Sequence, residues 1–128
     1  MAHRKFNPAT IAQPPSYMMG VESAPGLRWL HVAGQLGQRP DGTVSTDFTE
    51  QADQAFANLV EVLKGANMGV EDVVRMTTYI LDRDNLGGFR VARDKWFGKE
   101  LCASTLLIVA GLARAEYQIE VECIAAKA

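Results

Sequence analysis

Val73-Val74-Arg75-Met76-Thr77-Thr78-Tyr79-Ile80-Leu81 is the stretch on which the fold turns. It is rich in β-branched residues and free of glycine and proline, which suits a pleated strand. Val74, Met76, Thr78 and Ile80 point one way and fit beneath helices. Arg75, Thr77 and Tyr79 point the other way and form a face that is neither apolar nor fully charged. The last stretch, Tyr117 to Ala125, alternates in the same manner. Its odd positions Tyr117, Ile119, Val121, Cys123 and Ala125 are apolar, and Gln118, Glu120 and Glu122 stand opposite. Two strands with one apolar and one mixed face describe a sheet covered on one side only. The other face is either wet or paired with another subunit.

On either side of the central strand the period changes from two to 3.6. Ala52, Ala55, Phe56, Leu59, Val62, Leu63 and Ala66 follow helical spacing from Asp47 onward. Asp47 with Glu50 has the form of a capping box, and Gly65 and Gly69 read as the stop. A second helix is expected over 85–97, with Leu86, Phe89, Ala92 (or Arg93), Trp96 and Phe97 on one side and Gly98 ending it. Residues 104–110 form a further strand. All five prolines lie within the first forty residues, which disfavours helix there. Residues 1–15 read as an extended arm. Tyr17 to Val21 and Leu27 to Ala33 read as a hairpin around Ala24-Pro25-Gly26, and Pro40-Asp41-Gly42 as a second turn. The order is ββ-α-β-α-ββ, an α+β fold in one domain over 1–128, with two helices on one face of the sheet.

Composition narrows the function. At 128 residues and 48% apolar content the chain can bury a core without disulfide or metal. The net charge of -2, with both signs interspersed, lacks the basic footprint of a nucleic-acid binder. The first residues lead into no apolar h-region and no run is long enough to span a bilayer, so a cytoplasmic protein without membrane contact is expected. Cys102 and Cys123 read as buried thiols, and no set of His, Cys, Asp and Glu has metal-ligand spacing.

Four stretches, in order and spacing over nearly the whole chain, resemble the RidA/YjgF family, also called L-PSP endoribonuclease. Pro15-Ser16-Tyr17 precedes the first strand. Leu30-His31-Val32-Ala33-Gly34-Gln35 is similar to the family's LYVSGQ, Val73 to Ile80 to its DVVKTTVFL, and Ile119 to Ala126 to its VEIEAIA. The resemblance implies a chorismate-mutase-like fold, a homotrimer built as a central barrel, and small-molecule sites in the clefts between subunits. It also implies cofactor-free hydrolysis of reactive enamines and imines to a keto acid and ammonia. Residue by residue, Tyr17 matches the pocket tyrosine, Gly34 the glycine of the strand-end turn, and Glu120 the water-positioning glutamate. Ala33 stands for the serine of that turn. The family's PARS corresponds to Cys102-Ala103-Ser104-Thr105, so Ser104 takes the position of the arginine that grips the substrate carboxylate. Arg90 falls where an asparagine is frequent.

An arginine fork holds a carboxylate by two charge-assisted bonds, and a hydroxyl offers one neutral bond. Its loss is worth about a hundredfold or more in affinity. Either the substrate range has shifted or another cation substitutes. Arg90 is one candidate, reaching toward Ser104 across a subunit cleft; the competing reading is a solvent-facing helix arginine. Arg114 is the other candidate. Ser104 could act as a nucleophile, but it has no G-x-S-x-G context and only His3 and His31 as histidine bases, so a hydrogen-bonding role for Ser104, beside Thr105, fits better. His31 reads as a packing residue, Glu122 as structural, paired with Arg75 or a neighbouring strand, and Met18-Met19 as a hydrophobic contact or lid. Two functions stay open at this level: an imine or enamine hydrolase with a shifted substrate range, and a trimer that binds a metabolite without turnover. A ribonuclease, with this charge balance and no general acid–base histidine pair, ranks last.

Overall fold

The computed structural model describes residues 2–128. Along the chain run β1 (His3–Phe6), β2 (Gly20–Ser23), β3 (Arg28–Leu36), α1 (Phe48–Gly65), β4 (Val73–Ile80), α2 (Leu86–Phe97), β5 (Ala103–Ile108) and β6 (Ile119–Lys127). Four strands form one sheet in the order β3-β6-β4-β5. β6 is antiparallel to both its neighbours, and β4 and β5 are parallel, joined through α2 as a β-α-β crossover. Both helices lie on the same face, so the α+β architecture with one covered sheet face is as expected.

The covered face holds the core. Phe56 of α1 sits between Phe89 and Phe97 of α2, with ring centroids 6.1 and 5.8 Å away. Beneath them lie Met76, Ile80, Ile119, Val121, Cys123 and Ala125, all buried. The alternation read in β6 is therefore realised, and buried Tyr117 continues it just before the strand. In β4 the pattern breaks once. A bulge between Val73 and Arg75 makes Val73, not Val74, the core residue opposite Ala125, and Val74 is buried outside the main cluster.

Three other expectations are corrected. The 17–21 and 27–33 segments do not pair with each other. β2 pairs with β1, which forms inside the supposed arm, and β3 pairs with β6. The Pro25-Gly26 turn does reverse the chain, with Gly26 at φ 77°, but a turn fixes a direction and not a partner. At the end of α1, neither glycine makes the stop. Asn67 takes the left-handed conformation at φ 56°, which asparagine tolerates better than most residues. At its start, Asp47 accepts from the Glu50 backbone N–H at 3.0 Å, but the Glu50 carboxylate turns to Arg39 at 3.3 Å instead of closing a capping box. Gly98 does end α2, at φ 57°. The expected strand over 104–110 runs from Ala103 to Ile108.

Gln51, wholly buried on α1, ties the loop before β6 to the helix layer. Its Nε2 donates to the Ser45 and Glu116 carbonyls, both at 2.8 Å, and its Oε1 accepts from the Gln118 N–H at 2.9 Å. That clamp sets where β6 begins, and with it the height of Glu120. No helix among the described residues is long and apolar enough to cross a membrane.

Candidate functional site: two half-sites on one subunit

The residues singled out in the sequence separate into two groups. Tyr17, Arg90, Ser104 and Thr105 line one cavity of about 350 Å³ between the N-terminal segment, α2 and β5. Ala33, Gly34 and Glu120 belong to the uncovered face of the sheet, at β3 and β6.

The cavity is built from the edge strand outward. Ser104 is in register with buried Met76, so it points to the helix side, where Leu86 and Phe89 also line the space. Arg90 enters the same cavity from α2. It shares the cavity with Ser104 of its own chain, and its exposed guanidinium has no ion-pair or hydrogen-bond partner among the described residues. One helical turn on, Arg93 lines the cavity too. It donates to the Ser16 carbonyl and, through Nη2, to Asp94 at 2.7 Å, while its Nε is buried without a partner. Arg93 thus ties the segment carrying Tyr17 to α2. The segment is further held where the Met18 N–H donates to the Cys102 carbonyl at 3.0 Å. Met18 is stitched to the start of β5, whereas Met19 is exposed.

The uncovered face carries Glu120. A bulge interrupts β3 between Val32 and Gln35, so Ala33 and Gly34 together oppose a single residue of β6. The Glu120 side chain fills the space this leaves above Gly34. A Cβ at position 34 would lie 1.7 Å from Glu120 Oε2. Glycine is thus required there by the carboxylate, not by backbone conformation. Glu122, next on the same face, accepts from the Tyr79 hydroxyl of β4. That bond, with some desolvation, raises the Tyr79 phenol above its ordinary value and keeps it a donor. Glu122 is therefore engaged by the neighbouring strand, and the partner is Tyr79, not Arg75. Arg75 instead donates to Thr105 Oγ1 at 3.1 Å.

Ser104 does not share a face with Glu120; one residue further, Thr105 does, through its hydroxyl. Thr105 also edges the cavity, so the two groups of residues approach each other only along the edge strand β5. Arg114 is not at the cavity. It pairs with Glu116 at 2.5 Å and lies over the Tyr117 ring at 5.4 Å, within its own loop. His31 is exposed on the uncovered face, opposite Ile124. Burial pushes the Cys102 and Cys123 thiols up to about 11 and about 12, so both stay protonated near neutrality. Among the described residues no group of three His, Cys, Asp or Glu could hold a metal ion. Sequence reading passed over Arg93 as a cavity residue, although its i, i+3 spacing from Arg90 brings both to one side of α2.

A family model described as Endoribonuclease L-PSP matches residues 10–127. The chain belongs to this family, RidA/YjgF. Among RidA/YjgF relatives, the RutC family protein UK114 of Drosophila melanogaster is 35% identical over 77% of this chain and 72% of its own. The 2-iminobutanoate/2-iminopropanoate deaminase of Mus musculus is 32% identical over 77% and 73%. A Yersinia pestis structure of the Rid family, described as a protein of unknown function, superposes with a TM-score of 0.86 at 33% identity and covers 98% of both chains. Escherichia coli TdcF with bound serine, at 24% identity, 91% coverage of both chains and a TM-score of 0.75, shares the RidA/YjgF fold.

Proposed function

We propose that this protein is a cofactor-free hydrolase of reactive imines and enamines, working as a homotrimer whose active centres lie between subunits. Tyr17, Arg90, Ser104 and Thr105 of one subunit would hold the substrate, and Glu120, above Ala33 and Gly34 of the next, would handle water. The observation that carries this reading is the Glu120 carboxylate seated over Gly34, on a sheet face that neither helix covers. A second copy packed against that face would bring its own cavity residues to this carboxylate. Deaminases of this kind among the 32%-identical relatives support the chemistry.

The reaction balances without redox change. Glu120 accepts a proton from water as the water oxygen bonds to the imine carbon, and the C=N bond becomes an amine. Glu120 returns that proton to the nitrogen, which completes a carbinolamine; it then carries the carbinol hydroxyl's proton to the amine as C=O forms and the C–N bond breaks, and keto acid and ammonia leave. An enamine takes a proton on carbon first and follows the same course. A general base held in reach of both positions contributes about a hundredfold or more.

The test is ammonia release from imines generated in situ by an amino-acid oxidase or a dehydratase. The wild type should accelerate release for part of the panel, and Glu120→Gln should lose about a hundredfold or more of that acceleration. A panel left unchanged by the wild type, with keto acids still raising its melting temperature, would replace the hydrolase by a binding trimer. The neutral hydroxyl of Ser104 in the cavity, at the position where an arginine would hold a carboxylate more tightly, is what favours that second reading.

A further inference from the structure

The cavity of Arg90 and Arg93 has an unusual charge balance. Two guanidiniums line it with Ser16, Tyr17 and Ser104, Thr105 edges it, and among the described residues no carboxylate does. Arg90 has no partner among the described residues, and its guanidinium is a free fork. Arg93 is mostly buried, at 12% side-chain exposure; it lines the cavity, and its buried Nε has no partner among the described residues. The acid that pairs with Arg93 is Asp94, whose side chain is 62% exposed and outside the cavity lining, so solvent screens most of its compensation. Leu86, Phe89 and Leu106 give the remaining wall an apolar character suited to a short carbon chain.

An unpaired cation beside a half-satisfied buried one calls for more than one negative charge. A single carboxylate could engage Arg90 and would leave the second guanidinium of the lining without an anion inside the cavity. We propose that the natural substrate is dianionic: the imine or enamine of a short dicarboxylic amino acid, with one carboxylate on Arg90 and the second turned to Arg93 and the hydroxyls. This rests on the hydrolase reading for the chemistry, but the selectivity belongs to the cavity and can be measured without turnover. Arg90 is then the specificity-determining residue and Arg93 both binds and holds the Tyr17 segment.

The experiment measures binding to the full chain by calorimetry, using oxaloacetate and succinate as dicarboxylates, pyruvate and propionate as monocarboxylates, and inorganic phosphate. The dicarboxylates should bind at least about tenfold more tightly than the monocarboxylates, about 1.4 kcal/mol. Arg90→Gln, at an exposed position that leaves the fold intact, should remove that advantage. Arg93→Lys, which keeps charge and can still reach Ser16, should keep most of it, and Arg93→Gln should lose it. Glu120→Gln should bind dicarboxylates as the wild type does while losing hydrolysis, so a failed hydrolase reading and a failed charge assignment are told apart. Equal affinity for pyruvate and oxaloacetate, no binding of either, or an advantage that depends on Arg75 and survives Arg90→Gln would overturn the proposal. Phosphate bound more tightly than oxaloacetate through Arg90 would also overturn it, in favour of a phosphate site.

Discussion

Glycine 34 shows how much one absent atom can decide. The Glu120 carboxylate occupies the place a Cβ would take, at 1.7 Å from Oε2. Because the obstructing atom is the end of a flexible side chain, Gly34→Ala should not unfold the protein; the carboxylate would swing away. The expected result is a stability change below about 1 kcal/mol, typical of a site where strain can relax, with imine hydrolysis reduced on the order of tenfold to a hundredfold as the base leaves its position. Thermal melts beside ammonia-release kinetics check both halves. A large fall in melting temperature with normal specific activity would refute this account of Gly34. The glycine and the glutamate were legible in the sequence through the family resemblance, but their contact was not, because it needs the β3 bulge to bring Gly34 under β6. Which side of the sheet Ser104 faces was not legible for a related reason. Alternation tells which residues of a strand share a face, and a slip of one residue exchanges the faces. Only the pairing of Ser104 with Met76 and Thr105 with Thr77 fixes it.

Between elements, what could be read depended on whether the signal was local. Both helices and the outer pattern of β6 follow from periodicity, since a stripe or an alternating face is a property of one segment. The pairing of β1 with β2 and of β3 with β6 is non-local, and a short polar strand such as His3–Phe6 carries no periodic signal of its own. Nor does the sequence announce Gln51, a polar residue on the apolar face of α1 that joins it to the 111–118 loop. Removing it strips three backbone groups of their partner. Gln51→Leu should therefore cost about 2 kcal/mol even though it adds apolar contact, lowering the melting temperature by several degrees, on the order of 8 °C for a domain of this size. The loop before β6 should show faster amide exchange in the variant, with Gln118 affected first. An unchanged exchange rate at Gln118 would mean that the loop is held by something other than this clamp. Any accompanying loss of hydrolysis would pass through the displaced start of β6, one residue before Glu120.

For the molecule as a whole, the two half-sites pose a geometric question that one subunit cannot answer. The cavity under α2 and the carboxylate above Gly34 lie on opposite sides of one sheet and approach only along β5. The uncovered face and that edge expose Trp29, Leu107 and Ile108, at 51, 47 and 40%. Full burial of side chains of this size is worth about 1.5–3 kcal/mol each, and about half of that is left for another copy to supply here, a contribution toward a closed assembly. The proposed trimer predicts complementation. Glu120→Gln subunits keep the arginine cavity and lack the base; Arg90→Gln subunits keep the base and lack the free cation. Each homotrimer should be nearly inactive on a dicarboxylic imine. Unfolded together in equal amounts and refolded, the two should form mixed trimers in which a cleft is intact whenever an Arg90→Gln subunit lends its Glu120 to the cavity of a Glu120→Gln neighbour. Random assembly makes about one cleft in four intact, so about a quarter of the wild-type rate should return. A site contained within one subunit predicts no recovery at all, since every chain in the mixture would carry one defect. Light scattering on the same sample separates a failure to assemble from a failure to complement: trimers without activity would rule out the shared site, and monomers would rule out the assembly on which it depends.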